Sequence, residues 1–276
     1  METITLLSIY WDVSPSIIQI GSYEVRWYTL LFMLGFIVGY KIMEKIFKLE
    51  GVDMEWLGPL LTYTILGAII GARLGHCLFY DWAYFKHHLL EILLPVEFEP
   101  QFRFTGFRGL ASHGGAIGVI TALYLWSKKV SKKPILWILD RLVVPTALAG
   151  VFIRLGNLMN SEIVGSITNV PWAFEFAQSY PGELRHPVQL YEAISYVFLF
   201  VLLWRLFFKS DKKNYQGYIF GVYMVGLWSL RFVLEFFKNS QGGLEKSLNI
   251  GLSTGQLLSI PLILVGIYFM NRAKKK

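Results

Sequence analysis

The chain is poor in cysteine and in charge. Cys77 is its one cysteine, which excludes an internal disulfide and any metal site built from several thiolates. Only 16% of the 276 residues are charged, whereas 54% are hydrophobic. Soluble domains carry about 25% charged residues, so this composition belongs in lipid. Gly-x-Ser-x-Gly, His-Glu-x-x-His and paired aspartates in adjacent helices are all absent, which removes the usual intramembrane proteases. Residues 1–25 carry no basic n-region, and no small-residue cleavage site follows the first apolar run. That run is therefore expected to stay as a helix rather than be removed as a signal peptide. The net charge of +7 lies in short runs between apolar segments, not on one surface, and so argues against a nucleic-acid partner.

What the chain has in quantity is long apolar segments. Seven are long enough to span, near 27–45, 57–79, 110–127, 135–156, 188–208, 215–237 and 254–271, because about 20 apolar residues cross the hydrocarbon core. The basic residues between them alternate by side. One set holds Lys45 and Lys48, then Lys128, Lys129, Lys132 and Lys133, then Lys209, Lys212 and Lys213, then Arg272 and Lys274 to Lys276. The other is poorer: Lys86, Arg103 and Arg108, then Arg185, then Lys238 and Lys246. The positive-inside rule predicts the N-terminus outside and the C-terminus inside. Trp11, Trp27, Trp82 and Trp172 fall near the expected outer boundary. The two long connections, about 81–109 and 157–187, are then both outside and are expected to form ordered loops or short interfacial helices. The expected fold is a single all-α domain over residues 1–276 with seven transmembrane helices.

Ionisable groups interrupt these spans, at roughly 2.5–3.5 kcal/mol each on insertion scales. Arg73 and His76 sit in the outer half of the second span, and His113 opens the third. Arg154 and Asn157 close the fourth; His186, Gln189 and Glu192 begin the fifth; Arg231 and Glu235 lie in the outer half of the sixth. Asp140 and Arg141, at the inner boundary, read as snorkelling side chains. Polar groups crowded toward one face predict a site at the outer leaflet; a transport path would carry them through the midplane. Gly67, Gly71 and Gly75 form a small-xxx-small stripe that lets backbones approach, as do Gly35 and Gly39. Cys77, between His76 and Leu78, reads as helix packing. Ser112-His113-Gly114-Gly115-Ala116-Ile117-Gly118 places two glycines beside a histidine at a helix start, where N–H groups and the dipole favour an anion.

Three stretches then carry a resemblance: Ser112 to Gly118, Arg154-Leu155-Gly156-Asn157-Leu158-Met159-Asn160-Ser161-Glu162-Ile163-Val164-Gly165, and His186-Pro187-Val188-Gln189-Leu190-Tyr191-Glu192. In this order among seven spans they resemble the prolipoprotein diacylglyceryl transferases. The likeness runs from Arg26-Trp27-Tyr28 to Arg231-Phe232-Val233-Leu234-Glu235. It implies a bacterial inner-membrane enzyme that moves the diacylglyceryl group of phosphatidylglycerol to the lipobox cysteine thiol of a preprolipoprotein. The implied products are a thioether and glycerol 1-phosphate, with no metal or organic cofactor.

On that resemblance, Arg154 and Arg231 would hold the phosphate, since arginine binds it bidentately and stays charged. Asn157 would donate a fixed hydrogen bond to the headgroup. Glu162 and Glu235 would orient the arginines, with Glu162 alternatively touching substrate. His113 would deprotonate the thiol or bond the headgroup. Tyr28, Arg73, Gly114 and Gly115 would help bind substrate, and a side chain at Gly165 would obstruct the site. Each has a plainer alternative. Arg231–Glu235 can be a structural ion pair, Arg154 can snorkel, Arg73 and His76 can pair structurally, His186 can fix its loop, and Glu192 can pair with an arginine. Leu227 stands where the family often has tyrosine, so that hydroxyl is dispensable or comes from elsewhere. The competing reading from another class is an outer-leaflet phospholipid transporter, which predicts inner-half polar groups, inverted repeats and broken helices. Lipid is expected to enter sideways, bordered by the helices of Arg154 and Arg231.

Overall fold

The computed structural model describes residues 8–21, 23–98, 101–104, 109–239 and 251–274. Arg108, Lys246, Lys275 and Lys276 of the topological pattern lie outside them. In chain order the elements are β1 (Ile9–Trp11), β2 (Ser16–Ile20), β3 (Tyr23–Arg26), α1 (Trp27–Glu50), α2 (Leu57–Phe79) and the short α3 (Trp82–Phe85) and α4 (Leu89–Leu93). There follow β4 (Val96–Glu97), β5 (Arg103–Phe104), α5 (Ser112–Trp126), α6 (Ile135–Met159), β6 (Phe174–Phe176), β7 (Leu184–Arg185), α7 (Val188–Phe208) and α8 (Tyr218–Leu234). The last helix described is α9 (Thr254–Arg272).

Among the described residues, five helical stretches are long and apolar enough to cross a membrane: Met54–Phe79, Ile135–Met159, Val188–Phe208, Tyr218–Phe237 and Thr254–Arg272. The chain is thus a largely helical membrane protein. The other two expected spans are also helical, as the 24-residue α1 and the 15-residue α5, which continues into a π-turn at Ser127–Ser131. The two long connections differ from expectation in carrying strands as well as the short helices α3 and α4. β1 pairs in parallel with β6, which pairs antiparallel with β7, so residues 157–187 are stitched to the chain's beginning. The Trp11 indole donates to the Leu158 carbonyl at 3.2 Å. Such pairings join residues distant in sequence, and strands this short give no alternating pattern to read.

The chain divides into two compact units, residues 1–46 with 139–276, and residues 47–138. In the first, small residues set the helix contacts. Gly35 of α1 comes within ordinary contact of Ala149 of α6, Gly150 of α6 lies against the Tyr196 ring of α7, and Gly226 of α8 against Leu199 of α7. Val151, Ala193 and Tyr196 form a buried cluster, with Leu148, Leu155, Leu227 and Leu230 packed on it. Asp140 is fully buried, and it is no snorkelling group. Its carboxylate accepts from the N–H groups of Gly217 at 2.6 Å and Phe220 at 2.9 Å, serving donors that the first turn of α8 leaves without helical partners. The start of α9 is closed by a reciprocal Ser253–Gln256 capping box.

In the second unit the glycine stripe does what its spacing predicts. A β-carbon on Gly71 would lie 2.7 Å from the Gly118 α-carbon, and one on Gly75 would lie 2.7 Å from that of Gly114. The α2 and α5 backbones therefore touch, and only hydrogen fits between them. Cys77 is buried without exposure, as a packing residue.

Candidate functional site

The polar residues of the first unit gather around the end of α6. Arg154 projects from its last turns, and its Nε lies 2.9 Å from Glu192 Oε2 of α7. Its Nη1 donates to Asn157 Oδ1 at 3.2 Å, one helical turn on. Asn157 Nδ2 in turn donates to Glu162 Oε1 at 2.7 Å, and Asn160 Nδ2 reaches the same oxygen at 3.4 Å. The backbone aims Glu162 there. Ser161 and Ile163, on either side of it, adopt φ of 50° and 57°, left-handed values that β-substituted residues seldom take. The turn is closed by the Glu162 N–H donating to the Asn157 carbonyl at 3.0 Å and by Gln189 Nε2 donating to the Glu162 carbonyl at 2.6 Å. Glu162 itself faces outward, exposed, whereas Asn157 is buried. Tyr28, at the start of α1, packs its ring against Gly156 and lies within electrostatic reach of both Glu162 and Arg154.

A second cation enters from beyond α8. Glu192 is 1% exposed, and its other oxygen, Oε1, accepts from Lys238 Nζ at 2.9 Å. The buried carboxylate has a cation near each oxygen, accepting a hydrogen bond on Oε1 while Oε2 faces the Arg154 charge without one, and this ion pairing offsets part of its desolvation cost. Lys238 also lies 3.6 Å from Glu235 Oε2. The expected Arg231–Glu235 pairing is not formed. At Glu235 the helix tightens into a 3-10 turn, Glu235–Phe237, where residues three apart eclipse. That turn brings Glu235 near Lys238, three residues on, while toward Arg231 the backbone keeps its helical hydrogen bond from the Glu235 N–H to the Arg231 carbonyl without the side chains pairing. Its carboxylate also lies against Gly255, in the first turn of α9, where the helix dipole favours an anion. Arg231 has no carboxylate partner among the described residues. Its Nε is buried without a hydrogen bond, and its guanidinium carbon stands 5.7 Å from the Trp228 ring centre.

Two contributors escaped the sequence reading. Lys238 read only as an outer topological charge. Tyr196, 6% exposed, lies within electrostatic reach of Arg154, Glu192 and Arg231. It looked like one more apolar residue of a span, although Gln189, Glu192 and Tyr196 share a helical face by their spacing. Leu227, by contrast, packs on the Tyr196 cluster as an apolar residue. A buried hydroxyl therefore stands near the arginines from α7.

Gly165 is buried, and a β-carbon there would lie 2.6 Å from the His186 carbonyl and 2.6 Å from a Val188 methyl. The glycine thus lets two segments of the 157–187 region pass each other, its N–H donating to the His186 carbonyl at 3.0 Å. His186 fixes this loop. Trp172 Nε1 donates to the Tyr191 hydroxyl oxygen at 2.8 Å, which leaves the phenol proton for His186 Nδ1 at 3.2 Å. Burial holds the imidazole below its ordinary value.

The remaining candidates belong to the second unit. Arg73 is buried, donating to the carbonyls of Glu91 at 2.5 Å and Ile92 at 3.2 Å, with Phe85 under its guanidinium at 4.7 Å. It ties α4 to α2. His76 does not pair with Arg73; it stacks on Tyr80 and packs against Gly109. His113 is exposed in the first turn of α5. Gly114 is occupied by the α2 contact, and the Gly115 N–H already donates to the Ala111 carbonyl at 3.0 Å. Among the described residues no group of three or more His, Cys, Asp or Glu side chains could hold a metal.

One unit thus holds Arg154 and Lys238 on the buried carboxylate of Glu192, together with Arg231, which has no carboxylate partner among the described residues. The family model for prolipoprotein diacylglyceryl transferase matches residues 15–272. A phosphatidylglycerol–prolipoprotein diacylglyceryl transferase of Bacteroides fragilis is 42% identical over 273 residues, covering 98% of this chain and 97% of the relative. The enzyme of the same name from Tolumonas auensis is 43% identical over 270 residues, covering 97% and 98%. That from Porphyromonas gingivalis is 43% identical over 281 residues, covering 97% and 95%. With the match spanning nearly the whole chain, the protein belongs to the prolipoprotein diacylglyceryl transferase family.

Proposed function

We propose that the chain transfers the diacylglyceryl group of phosphatidylglycerol to the lipobox cysteine thiol of a preprolipoprotein. The observation that carries this reading is Arg231, a half-buried cation whose Nε is buried without a hydrogen bond and which has no carboxylate partner among the described residues, in the same unit as an Arg154 fixed on two sides. Phosphatidylglycerol brings one negative charge, and its loss as glycerol 1-phosphate develops a second. Fixed arginines in a low-dielectric site stabilise that change without reorganising. In the reaction the sulfur forms a bond to the terminal glyceryl carbon of the diacylglyceryl group. The bond from that carbon to the phosphate oxygen breaks, and the pair leaves on the phosphate.

Arg231 and Arg154 are assigned to the phosphate, and Tyr28 to lipid positioning. Asn157 joins Arg154 to Glu162 and keeps one amide N–H for the headgroup. Glu162, exposed at the turn, faces the incoming substrate. Gly165 holds the loop shape, Glu235 completes the carboxylate framework, and Arg73, Gly114 and Gly115 are assigned to substrate binding. His113 receives the thiol proton. The enzyme is a multi-pass protein of the bacterial inner membrane, with seven spans, the N-terminus outside and the site at the outer leaflet. Its partners are phosphatidylglycerol and the lipobox-bearing signal peptide.

The test is transfer from labelled phosphatidylglycerol to a lipobox peptide by purified protein. Wild-type transfer that falls at least ~100-fold in folded Arg154→Ala and Arg231→Ala supports the reading. Lipid binding without transfer would instead favour a phospholipid transporter.

A further inference from the structure

The charge pattern at the end of α8 raises a question that residue spacing alone answers wrongly. Glu235 is four residues from Arg231, a spacing at which carboxylate and guanidinium ordinarily pair. Had they paired, Arg231 would be neutralised in advance of any anionic ligand. Lys238 is the side chain in a position to prevent it. Its ammonium is a compact charge with three donors and no acceptor, so one lysine can serve two carboxylates. Here it donates to Glu192 Oε1 at 2.9 Å and stands as an ion-pair partner 3.6 Å from Glu235 Oε2, which accepts no hydrogen bond, with its own side chain 11% exposed.

We infer that Lys238 is a positioning residue, holding Glu235 away from Arg231 so that the arginine stays open to an anionic lipid headgroup. This rests on the reading of Arg231 as a headgroup ligand. The residues make a balanced set: Arg154, Arg231 and Lys238 against Glu162, Glu192 and Glu235. Within it Glu192 is shared by Arg154 and Lys238, Glu235 lies between Lys238 and the first turn of α9, and Glu162 is held by asparagine amides. Without the lysine charge, Glu235 keeps only the helix end, and Arg231 on the preceding turn is its available cation. The headgroup would then compete with an intramolecular carboxylate.

The experiment measures kcat/KM for phosphatidylglycerol in Lys238→Met, Lys238→Arg, and the double variant Glu235→Gln with Lys238→Met. Lys238→Met should lose about 10–100-fold, and Lys238→Arg should stay within about threefold of wild type. The double variant should recover about tenfold over Lys238→Met, because the competing carboxylate is gone. A purely structural lysine would make the double variant no better than the single one. That result, or full activity in folded Lys238→Met, overturns the positioning role. If Lys238→Met does not fold, the charge-balanced double variant is compared with Glu235→Gln alone. Equal kcat/KM in those two supports the role, since without the carboxylate the lysine has nothing to hold away, and a further loss of about tenfold or more in the double variant overturns it. Absence of transfer by wild type would overturn the functional reading instead.

Discussion

Asn157 shows how one uncharged side chain can organise several charged ones. It accepts from Arg154 and donates to Glu162, so it fixes the spacing of a cation and a carboxylate without adding charge. Asn157→Leu should lower transfer about 100-fold while leaving detergent-solubilised protein folded, which circular dichroism alongside the transfer assay would check. Gly165→Ala should behave differently. Its added methyl meets backbone at His186, so stability should fall by about 1–3 kcal/mol, seen as a lower unfolding midpoint together with lost activity. At this scale much was legible. Arg154, Asn157 and Glu162 were read from their motif, and Glu192 was expected to meet an arginine, which it does. A pairing of Arg231 with Glu235 was allowed by their helical spacing, which the backbone keeps, but spacing does not say which of two cations a carboxylate meets, and Glu235 lies instead beside Lys238. The left-handed backbone of Ser161 and Ile163 was equally invisible, since neither is a glycine.

Elements differ in how plainly they announce themselves. The glycine stripe of α2 was readable because close packing requires the absence of side chains at a fixed period. Gly71→Val should separate α2 from α5 and speed proteolysis of the solubilised protein, whereas Gly58→Ala, with open space around it, should not. The strands of the 157–187 region were unreadable, being two or three residues long and paired across the chain. Their loop also holds a titratable element. His186 is kept below its ordinary value by burial, so the neutral imidazole is the form the fold prefers. Stability from this group is complete above the ordinary value of 6.5 and is lost as pH falls through and below it. Acidification from pH ~8 to pH ~5 should therefore increase hydrogen exchange at Gly165 and Ser166, and His186→Asn should remove that pH dependence.

For the whole molecule, composition alone indicated a membrane protein, and apolar length located the helices. Lys238 illustrates the cost of reading charge only as topology: a residue counted toward an orientation rule turned out to hold two carboxylates. The orientation itself predicts that cysteines introduced at Lys128 and Lys212 will be protected from a membrane-impermeant reagent in intact cells, and one at Glu183 will be labelled. Such labelling is clean for a reason that lies in Cys77. The protein's own thiol is closed off inside the second unit. If the proposed transfer to a thiol is the reaction, the enzyme is thus protected from becoming its own substrate. On the proposed reaction, every diacylglyceryl group placed on sulfur would then appear on another chain, so each turnover could be counted on the acceptor without correction for self-modification.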